Sequence, residues 1–435
     1  MTIRKKRVLL FATKLGYQTR SFQTAADKLD VEIAYATDRC SRMDDPWNDR
    51  ALPVHFELPE GAAAGVLEAQ RGLPVNAVLV IGDRPATTAA YVARGLGLPH
   101  NHPASVEACR NKLRMREVLR DAGLPVPWFQ SMTLDPLPEP SLTGVRYPCV
   151  LKPLSLSASQ GVMRANRREE YLAGAARLKR LLDSAEVRAT RDPHLHEMLV
   201  EGYLQGREVA VEALLTAGEL RILAIFDKPD PLEGPYFEES IYVTPSRLPR
   251  DEQCAIEACL ESAVRAIGLT HGSLHAEFRL NAEGVWPIEI APRPIGGLCA
   301  RALRFRPSTG GACIEFEELL LRHALEMPGA DAPRENAASG VMMIPVPRSG
   351  ILEKVEGQEE ATAVHAITGL EITARLHDFI AAWPEGSSYL GFLFARGAEP
   401  GEVENALREA HRRLRFTFGE RLPVEHPLTH AVPPA

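Results

Sequence analysis

Two glutamates in one short stretch are spaced to share a ligand. Glu277 and Glu289 lie in LHAEFRLNAEGVWPIEIAPRPIGG, residues 274–297, whose alternation of apolar and polar residues predicts a β-hairpin. A three-residue turn at Ala282-Glu283-Gly284, with Gly284 left-handed, pairs Asn281 with Val285 and Glu277 with Glu289. Ala276, Phe278, Leu280, Trp286, Ile288 and Ile290 then form one apolar face, and His275, Glu277, Arg279, Glu289, Ala291 and Arg293 form the other. Carboxylates directly opposite each other repel, so the pair needs a cation between its members or a proton on one of them. Hard divalent cations such as Mg²⁺ bind through carboxylate oxygens. The alternative is a solvated hairpin face, because a two-residue turn would shift the register and separate the pair.

Other residues suit a phosphate. In YPCVLKPLSLSASQGVMRA a strand delivers Lys152, and a loop of small residues, Ser155 to Gly161, leads to a second strand. Such loops approach phosphates through backbone N–H groups, with a lysine at the edge supplying charge. No GxxxxGK[ST] occurs, so this is not a Walker loop. Lys112 falls in the first turn of a helix that Asn111 caps, against the preference for cations at helix C-termini, and an anion nearby would account for it. In HEMLVEGYLQGREVAVEALL an apolar strand turns at Gln205-Gly206 into a strand carrying Glu208 and Glu212. His194-x-His196 has no third ligand beside it and is read as a loop pair.

The elements that must hold these residues follow from the rest of the chain. Its 435 residues allow two to four packed units at about 100 to 200 residues each. Residues 7–102 alternate strand and helix, which predicts a parallel, doubly wound α/β sheet, without the Gly-rich fingerprint of a dinucleotide site. Residues 104–128 form two short helices, and CARALRF a further one after Gly296-Gly297. Asp227, Lys228, Glu238 and Glu239 lie in FDKPDPLEGPYFEESIYVTPS, which is too polar and Pro-rich for core and is read as lying near the substrate, the alternative being a solvated loop. The Pro-rich stretch 328–347 reads as a linker to an α+β unit.

Composition excludes several classes. The chain is 45% hydrophobic and 25% charged, with 50 basic against 57 acidic residues and a net charge of −7, which gives no electrostatic case for nucleic acid or an anionic membrane. No apolar run approaches the ~20 residues of a membrane span, and the basic start before VLLFA is better read as a first strand than as a secretory signal. Seven cysteines without a CxxC favour a reducing, cytoplasmic setting.

Lys112, the Lys152 strand and loop, VEGYLQGRE and the HxE…ExAxR hairpin resemble, in this order, the ATP-grasp superfamily over about residues 1–330. The resemblance implies an ATP-grasp fold with an N-terminal doubly wound α/β domain (1–103), an ATP-grasp domain (104–330, lid subdomain about 125–195) and a C-terminal α+β domain (335–420). It implies that Lys112 and Lys152 contact ATP phosphates beneath the loop Ser155–Gly161, that the backbone around Glu201 and Leu204 holds adenine, and that Glu208 holds the ribose. It also implies that Glu277 and Glu289 ligate Mg²⁺, with Mn²⁺ as an alternative, and that Arg293 faces the γ-phosphate and the acyl centre. Where many members have E-x-N, this chain has Glu289-Ile290-Ala291. The pattern E-x-A-x-R and the tail GVMMIPVPRSGILEKVEG…SSYLGFLFARG resemble the L-amino-acid ligase branch.

The resemblance implies an ATP-dependent carboxylate–amine ligase that forms an acyl phosphate, releases ADP and phosphate, and makes an amide from small-molecule acid and amine substrates. Lys152 and Arg293 are its expected catalytic residues, with His275, Gly296 and Gly297 near the substrate. Two other functions stay open: a carboxylase acting on bicarbonate, and a nucleotide-binding regulatory protein without turnover. No nucleic-acid or membrane partner is expected, and a homodimer is one admissible assembly.

Overall fold

The computed structural model describes residues 5–13, 16–38, 51–139, 144–307 and 310–420. Its N-terminal part is a four-stranded parallel sheet in the order Leu52–Pro53, Glu32–Thr37, Arg7–Ala12, Ala77–Ile81. The Arg7–Ala12 strand shows why the sheet is doubly wound. Val8, Leu10 and Ala12 face one cluster with helix Tyr17–Lys28, while Leu9 and Phe11 face another with helices Pro59–Ala69 and Ala86–Leu96. A strand buried on both faces reads as a continuous apolar run, as VLLFA does.

An eight-stranded sheet carries the rest. Its order is Gly284–Ala291, Gly272–Asn281, Arg207–Thr216, Glu219–Lys228, Ile241–Thr244, Ala338–Ile344, Gly391–Gly397, Ile367–Ile372, with all neighbouring strands antiparallel. Leu274, Ala276, Phe278 and Leu280 alternate onto one face of it. They meet Ile256, Leu260, Ala263, Val264 and Ile267 of helix Arg250–Ile267, whose apolar positions recur at helical spacing. Each of the larger buried side chains (Leu, Ile, Val, Phe) contributes about 1.5–3 kcal/mol, so this contact fixes which face of the sheet is left for polar groups.

A separate antiparallel sheet, in the order Phe129–Thr133, Glu197–Gly202, Cys149–Pro153, Met163–Ala165, packs on helix Arg168–Leu182. A three-stranded sheet of Phe379–Ile380, Gly350–Glu356 and Arg415–Gly419 shares a core with strands of the eight-stranded one.

Three sequence readings are corrected. The stretch 328–347 is not simply a linker, because Ala338–Ile344 is a fully buried strand inside the large sheet. The polar segment from Phe226 is not a loop throughout: Asp227 and Lys228 end a buried strand, and Ile241–Thr244 is a buried strand of its own. The helix expected at CARALRF is a single 3₁₀ turn, Cys299–Ala302, followed by the short strand Arg304–Phe305. The two helices expected near Lys112 are present as Pro103–Arg110 and Lys112–Asp121, and the Asn111 side chain caps the second by accepting from Arg114 N at 3.1 Å.

Where the parallel sheet meets the large one, His100, His271 and His323 line one cavity, and the last two stack with ring centroids 4.9 Å apart. Burial lowers all three from the usual 6.5, His100 and His323 to about 4. Between these values the unfolded chain binds more protons than the folded one. The cluster therefore costs no stability above pH 6.5 and an increasing amount as pH falls toward 4. Thermal melts across this range are expected to show a falling Tm, and His323→Gln should make the fall shallower.

Candidate active site

The hairpin reaches the expected pairing of glutamates by an unexpected path. Its turn has two residues, since Asn281 pairs with Gly284 rather than with Val285. That register alone would set Glu277 beside Ile288. A bulge intervenes: Phe278 pairs with Pro287 and Glu277 with Glu289, leaving Ile288 extra. Arg116, almost fully buried, explains why the bulge is stable. Its guanidinium donates to the carbonyls of Pro287 (3.2 Å) and Ile288 (3.0 Å), and to the Glu201 carboxylate at 2.9 Å. The apolar face changes accordingly: Val285 joins the core in place of Trp286, and Ile288 turns into the cleft.

Charges on the polar face are arranged in cross-strand rungs. Lys228, Glu208 and Arg279 are aligned across three strands, Glu212 pairs with His275 on the next polar rung, and Glu277 opposite Glu289 lies between. Lys228 Nζ is 2.9 Å from Glu208 and 3.0 Å from Glu277, and it also binds Glu239. The Glu208 carboxylate accepts in addition from Arg279 Nε at 2.8 Å. His275 bridges two acids, Glu212 through Nδ1 and Glu277 through Nε2 at 3.3 Å.

Glu277 is thus neutralised by Lys228, while among the described residues the nearest cation to Glu289 is Arg293 at 3.7 Å, and the electrostatics follow from this. Burial works to raise Glu277, but the Lys228 ammonium and His275 overcome it and hold this carboxyl well below its usual range. Two carboxyls of this face are raised: Glu239, pushed by burial and by the Glu277 charge to about 7, and Glu212, raised by burial despite His275. The sequence places a raised carboxyl at Glu277 or Glu289, and the structure moves it, because Lys228 comes from a strand outside the hairpin. Burial lowers His275 but the Glu212 carboxylate outweighs it, giving about 9.

Two clefts meet at this rung. The first is lined by Lys112, Lys152, Glu201, Leu204, Glu208, Glu277 and Glu289, together with Tyr203, Phe237 and Ile288. The second is lined by His275, Arg293, Gly296 and Gly297, by Asp83 of the parallel sheet, and by residues of the 373–392 region. Ser157, Ser159, Glu277 and Glu289 belong to both walls. Every site residue singled out in the sequence therefore lines one cleft or the other. In the first, Lys112 Nζ donates to the Leu156 carbonyl and Lys152 pairs with Glu201. Burial raises Glu201, but Arg116 and Lys152 together bring it down to about 2, while burial and the Arg116 charge lower Lys152. Glu201 is thus engaged through its side chain as well as its backbone. In the second cleft Arg293 grips Asp83 with two bonds, 2.7 and 3.0 Å, and stands 3.7 Å from Glu289.

Residues 145–302 match the ATP-grasp domain family, and residues 342–419 match the L-amino acid ligase C-terminal domain 2. The chain thus carries an ATP-grasp domain followed by an L-amino acid ligase C-terminal domain. The crystal structure of an L-amino acid ligase from Bacillus licheniformis is similar at a TM-score of 0.79 and 26% identity, covering 96% of this chain and 100% of that one. Alanine–anticapsin ligase of Bacillus amyloliquefaciens is 27% identical over 255 residues, 56% of this chain and 53% of its own length. The chain spans 64% and 53% of the length of the first two curated relatives it matches. A carboxyaminoimidazole ribonucleotide synthase of Aspergillus clavatus complexed with ATP, 16% identical, shares the fold at a TM-score of 0.68, covering 94% of this chain and 99% of that one. ATP-grasp proteins bind ATP. No described helix is long and apolar enough to cross a membrane.

Several residues around these clefts had no role assigned from the sequence, and some had left a signal. Arg116 is four residues after Lys112, on the same helix face. Glu212 shares a strand face with Glu208, and its second oxygen accepts from Ile295 N at 3.1 Å. Asp83 follows the C-terminal end of a parallel strand, where open α/β sheets bind ligands. Lys228 lies in the segment the sequence placed near the substrate, but its role as a shared cation had no local signal, since two of its three acids, Glu208 and Glu277, come from other segments.

Removing Lys228 tests this arrangement. Lys228→Met leaves Glu208, Glu239 and Glu277 buried together without their shared cation, and breaking such a buried network costs about 3–5 kcal/mol. A markedly lower melting temperature than that of the natural chain is expected. An unchanged melt would show that the three carboxylates tolerate one another unaided.

Proposed function

We propose that this chain is an ATP-dependent carboxylate–amine ligase that joins an amino acid to a second amino acid or another amine, releasing ADP and phosphate. The observation carrying this reading is that Glu277 and Glu289 stand in the wall common to two clefts. A phosphoryl group at that wall has the lysine-lined cleft on one side and the Arg293 cleft on the other, as transfer from nucleotide to carboxylate requires. Such transfers rest on positioning and charge neutralisation. The names of the similar proteins, L-amino acid ligase and alanine–anticapsin ligase, support amino acids as substrates. We assign residues 1–103, 104–330 and 335–420 to the N-terminal, ATP-grasp and C-terminal domains, and a cytoplasmic setting accords with six free thiols among the described cysteines.

The donor set fits Mg²⁺. Glu277 and Glu289 offer carboxylate oxygens, the preferred ligands of a hard cation, and the ammonium 3.0 Å from Glu277 shows that this carboxylate already faces positive charge. Position 291 is alanine, so no amide completes the shell. Bound there, Mg²⁺ would neutralise phosphate charge. The protein's own groups do the rest. Lys112 and Lys152 supply charge in the nucleotide cleft, and Glu208, oriented by Lys228 and Arg279, is placed for the ribose hydroxyls. His275, clamped by Glu212, fixes the orientation of Glu277. Arg293 stabilises the acyl phosphate and the oxyanion formed when the amine attacks, and the N–H groups at Gly296-Gly297 serve the substrate carboxylate.

Amino-acid-dependent release of ADP and inorganic phosphate, with an amide product found by mass spectrometry, is the expected outcome. Release of AMP and pyrophosphate would refute the mechanism. Glu289→Gln is expected to abolish turnover with the fold retained, because a neutral amide is a weak ligand for a hard cation.

Arg293→Lys separates chemistry from architecture. Lysine cannot hold two oxygens as a planar fork, and losing one transition-state donor costs on the order of 10²-fold in rate. The variant should lose kcat far more than it raises KM for ATP. A variant with normal kcat and a lowered melt would reduce Arg293 to a partner of Asp83.

A further inference from the structure

One short segment of the C-terminal region touches both the substrate cleft and the phosphate-side loop. Ile380, Ser387, Ser388 and Tyr389 line the second cleft. Between them, Trp383-Pro384-Glu385 grips the loop Ser155–Gly161. Trp383 Nε1 donates to the Ala158 carbonyl at 3.1 Å, Gly161 N donates to the Pro384 carbonyl at 2.8 Å, and Gln160 Nε2 donates to the Glu385 carbonyl at 2.8 Å. The Glu385 side chain also pairs with Arg177, on the helix behind the loop. That pair is more than a third exposed and contributes little, so the grip resides in the three hydrogen bonds and the buried Trp383 ring.

The gripped loop has a conformation it would not keep alone. Ala158 and Ser159 are left-handed, with φ of 55° and 54°, which L-residues hold only where surroundings over-determine them. Gly161 is left-handed as well, and a Cβ there would lie 2.9 Å from Leu178. Ser157 and Ser159 of this loop line both clefts. On its other side Trp383 packs on Tyr389, with ring centroids 4.9 Å apart, and Tyr389 meets Phe392 edge-on at 6.2 Å. A continuous path therefore runs from the substrate cleft through Tyr389 and Trp383 to the loop.

We propose that Trp383-Pro384-Glu385 is a latch by which an amino acid in the second cleft closes the Ser155–Gly161 loop over the first. The latch deepens the ligase reading and rests on it. A substrate seated against Ser387, Ser388 and Tyr389 fixes the segment, the segment presents Trp383 Nε1 and two carbonyls to the loop, and the loop takes up its left-handed turn. Ligand and closure are linked because the ligand favours the latched state over the free one. The benefit is chemical: an acyl phosphate exposed to water is hydrolysed, and closure that waits for substrate keeps water out. Trp383, Gln160 and the Glu385 backbone are positioning groups that act through the loop.

The test needs no turnover. Hydrogen–deuterium exchange of the 155–161 peptide is followed with Mg²⁺ and a non-hydrolysable ATP analogue, with and without a mixture of the proteinogenic L-amino acids. In the natural chain the amino acids should slow this exchange beyond the effect of the analogue alone. Trp383→Phe keeps the ring and loses the donor, and Gln160→Met removes a second donor at a less buried position should the first variant fold poorly. Each should lose about three- to tenfold of the amino-acid-dependent protection, the equilibrium factor of one hydrogen bond. Trp383→Phe should bind the analogue alone as the natural chain does, and with substrates should consume more ATP per amide formed. Equal protection in both variants, in a chain that still forms amides, overturns the latch alone. A chain that forms no amide with any amino acid overturns the ligase reading and the latch with it.

Discussion

The Lys228 ammonium is the charge on which the site depends. Buried carboxylates are held close together only where positive charge offsets their repulsion and their loss of water, and Lys228 does this for Glu208, Glu239 and Glu277 at once. These acids come from two strands of the large sheet and from the connection leading into a third, so this ion group ties the sheet's register to the site. With Lys228 in place, Glu277 is held well below its usual range, and Glu239 is the acid of this group that burial and the Glu277 charge raise, to about 7. A divalent cation arriving at Glu277 would meet a carboxylate already in its charged form.

Arg116 does comparable work on the opposite wall. Its guanidinium engages Glu201 and the carbonyls freed by the bulge at Ile288, so one buried side chain links the first cleft to the placement of Glu289. Asp83 extends the network to the N-terminal sheet through its two bonds to Arg293. Burial raises Asp83, yet Arg293 holds it below its usual range, and the pair stays charged where neither group is well hydrated. The second cleft is thus assembled from three parts of the chain, and no part carries it alone.

The large sheet explains how distant segments share one site. Ala338–Ile344 and Gly391–Gly397 continue the same antiparallel sheet that carries Glu208, Lys228 and Glu277, so the C-terminal region is hydrogen-bonded into the floor of the clefts. That continuity brings Tyr389 and Phe392 beside Glu239 and Arg293. It also holds Trp383 within reach of the loop after Lys152.

Local chemistry in the sequence determined a good deal. Alternation along 272–281 selected the buried face and left His275, Glu277 and Arg279 on the other, because a strand's side chains repeat every two residues whatever surrounds them. The apolar run at 8–12 determined a two-sided strand, and Asn111 determined where a helix begins. The facing of Glu277 and Glu289 was legible as well, though through a three-residue turn that does not form. Tertiary structure decided the rest. A two-residue turn and a bulge give the same pairing because Arg116, from a helix more than 150 residues earlier, satisfies the bulged carbonyls. The cation beside Glu277 is Lys228 because three segments bury their acids around it, and the two ends of a polar, proline-rich stretch, Asp227-Lys228 and Ile241–Thr244, are buried strand while the residues between them are not. Local alternation can specify a face, but which charge neutralises which is a property of groups brought together from distant parts of the chain, and only the folded sheet brings them together.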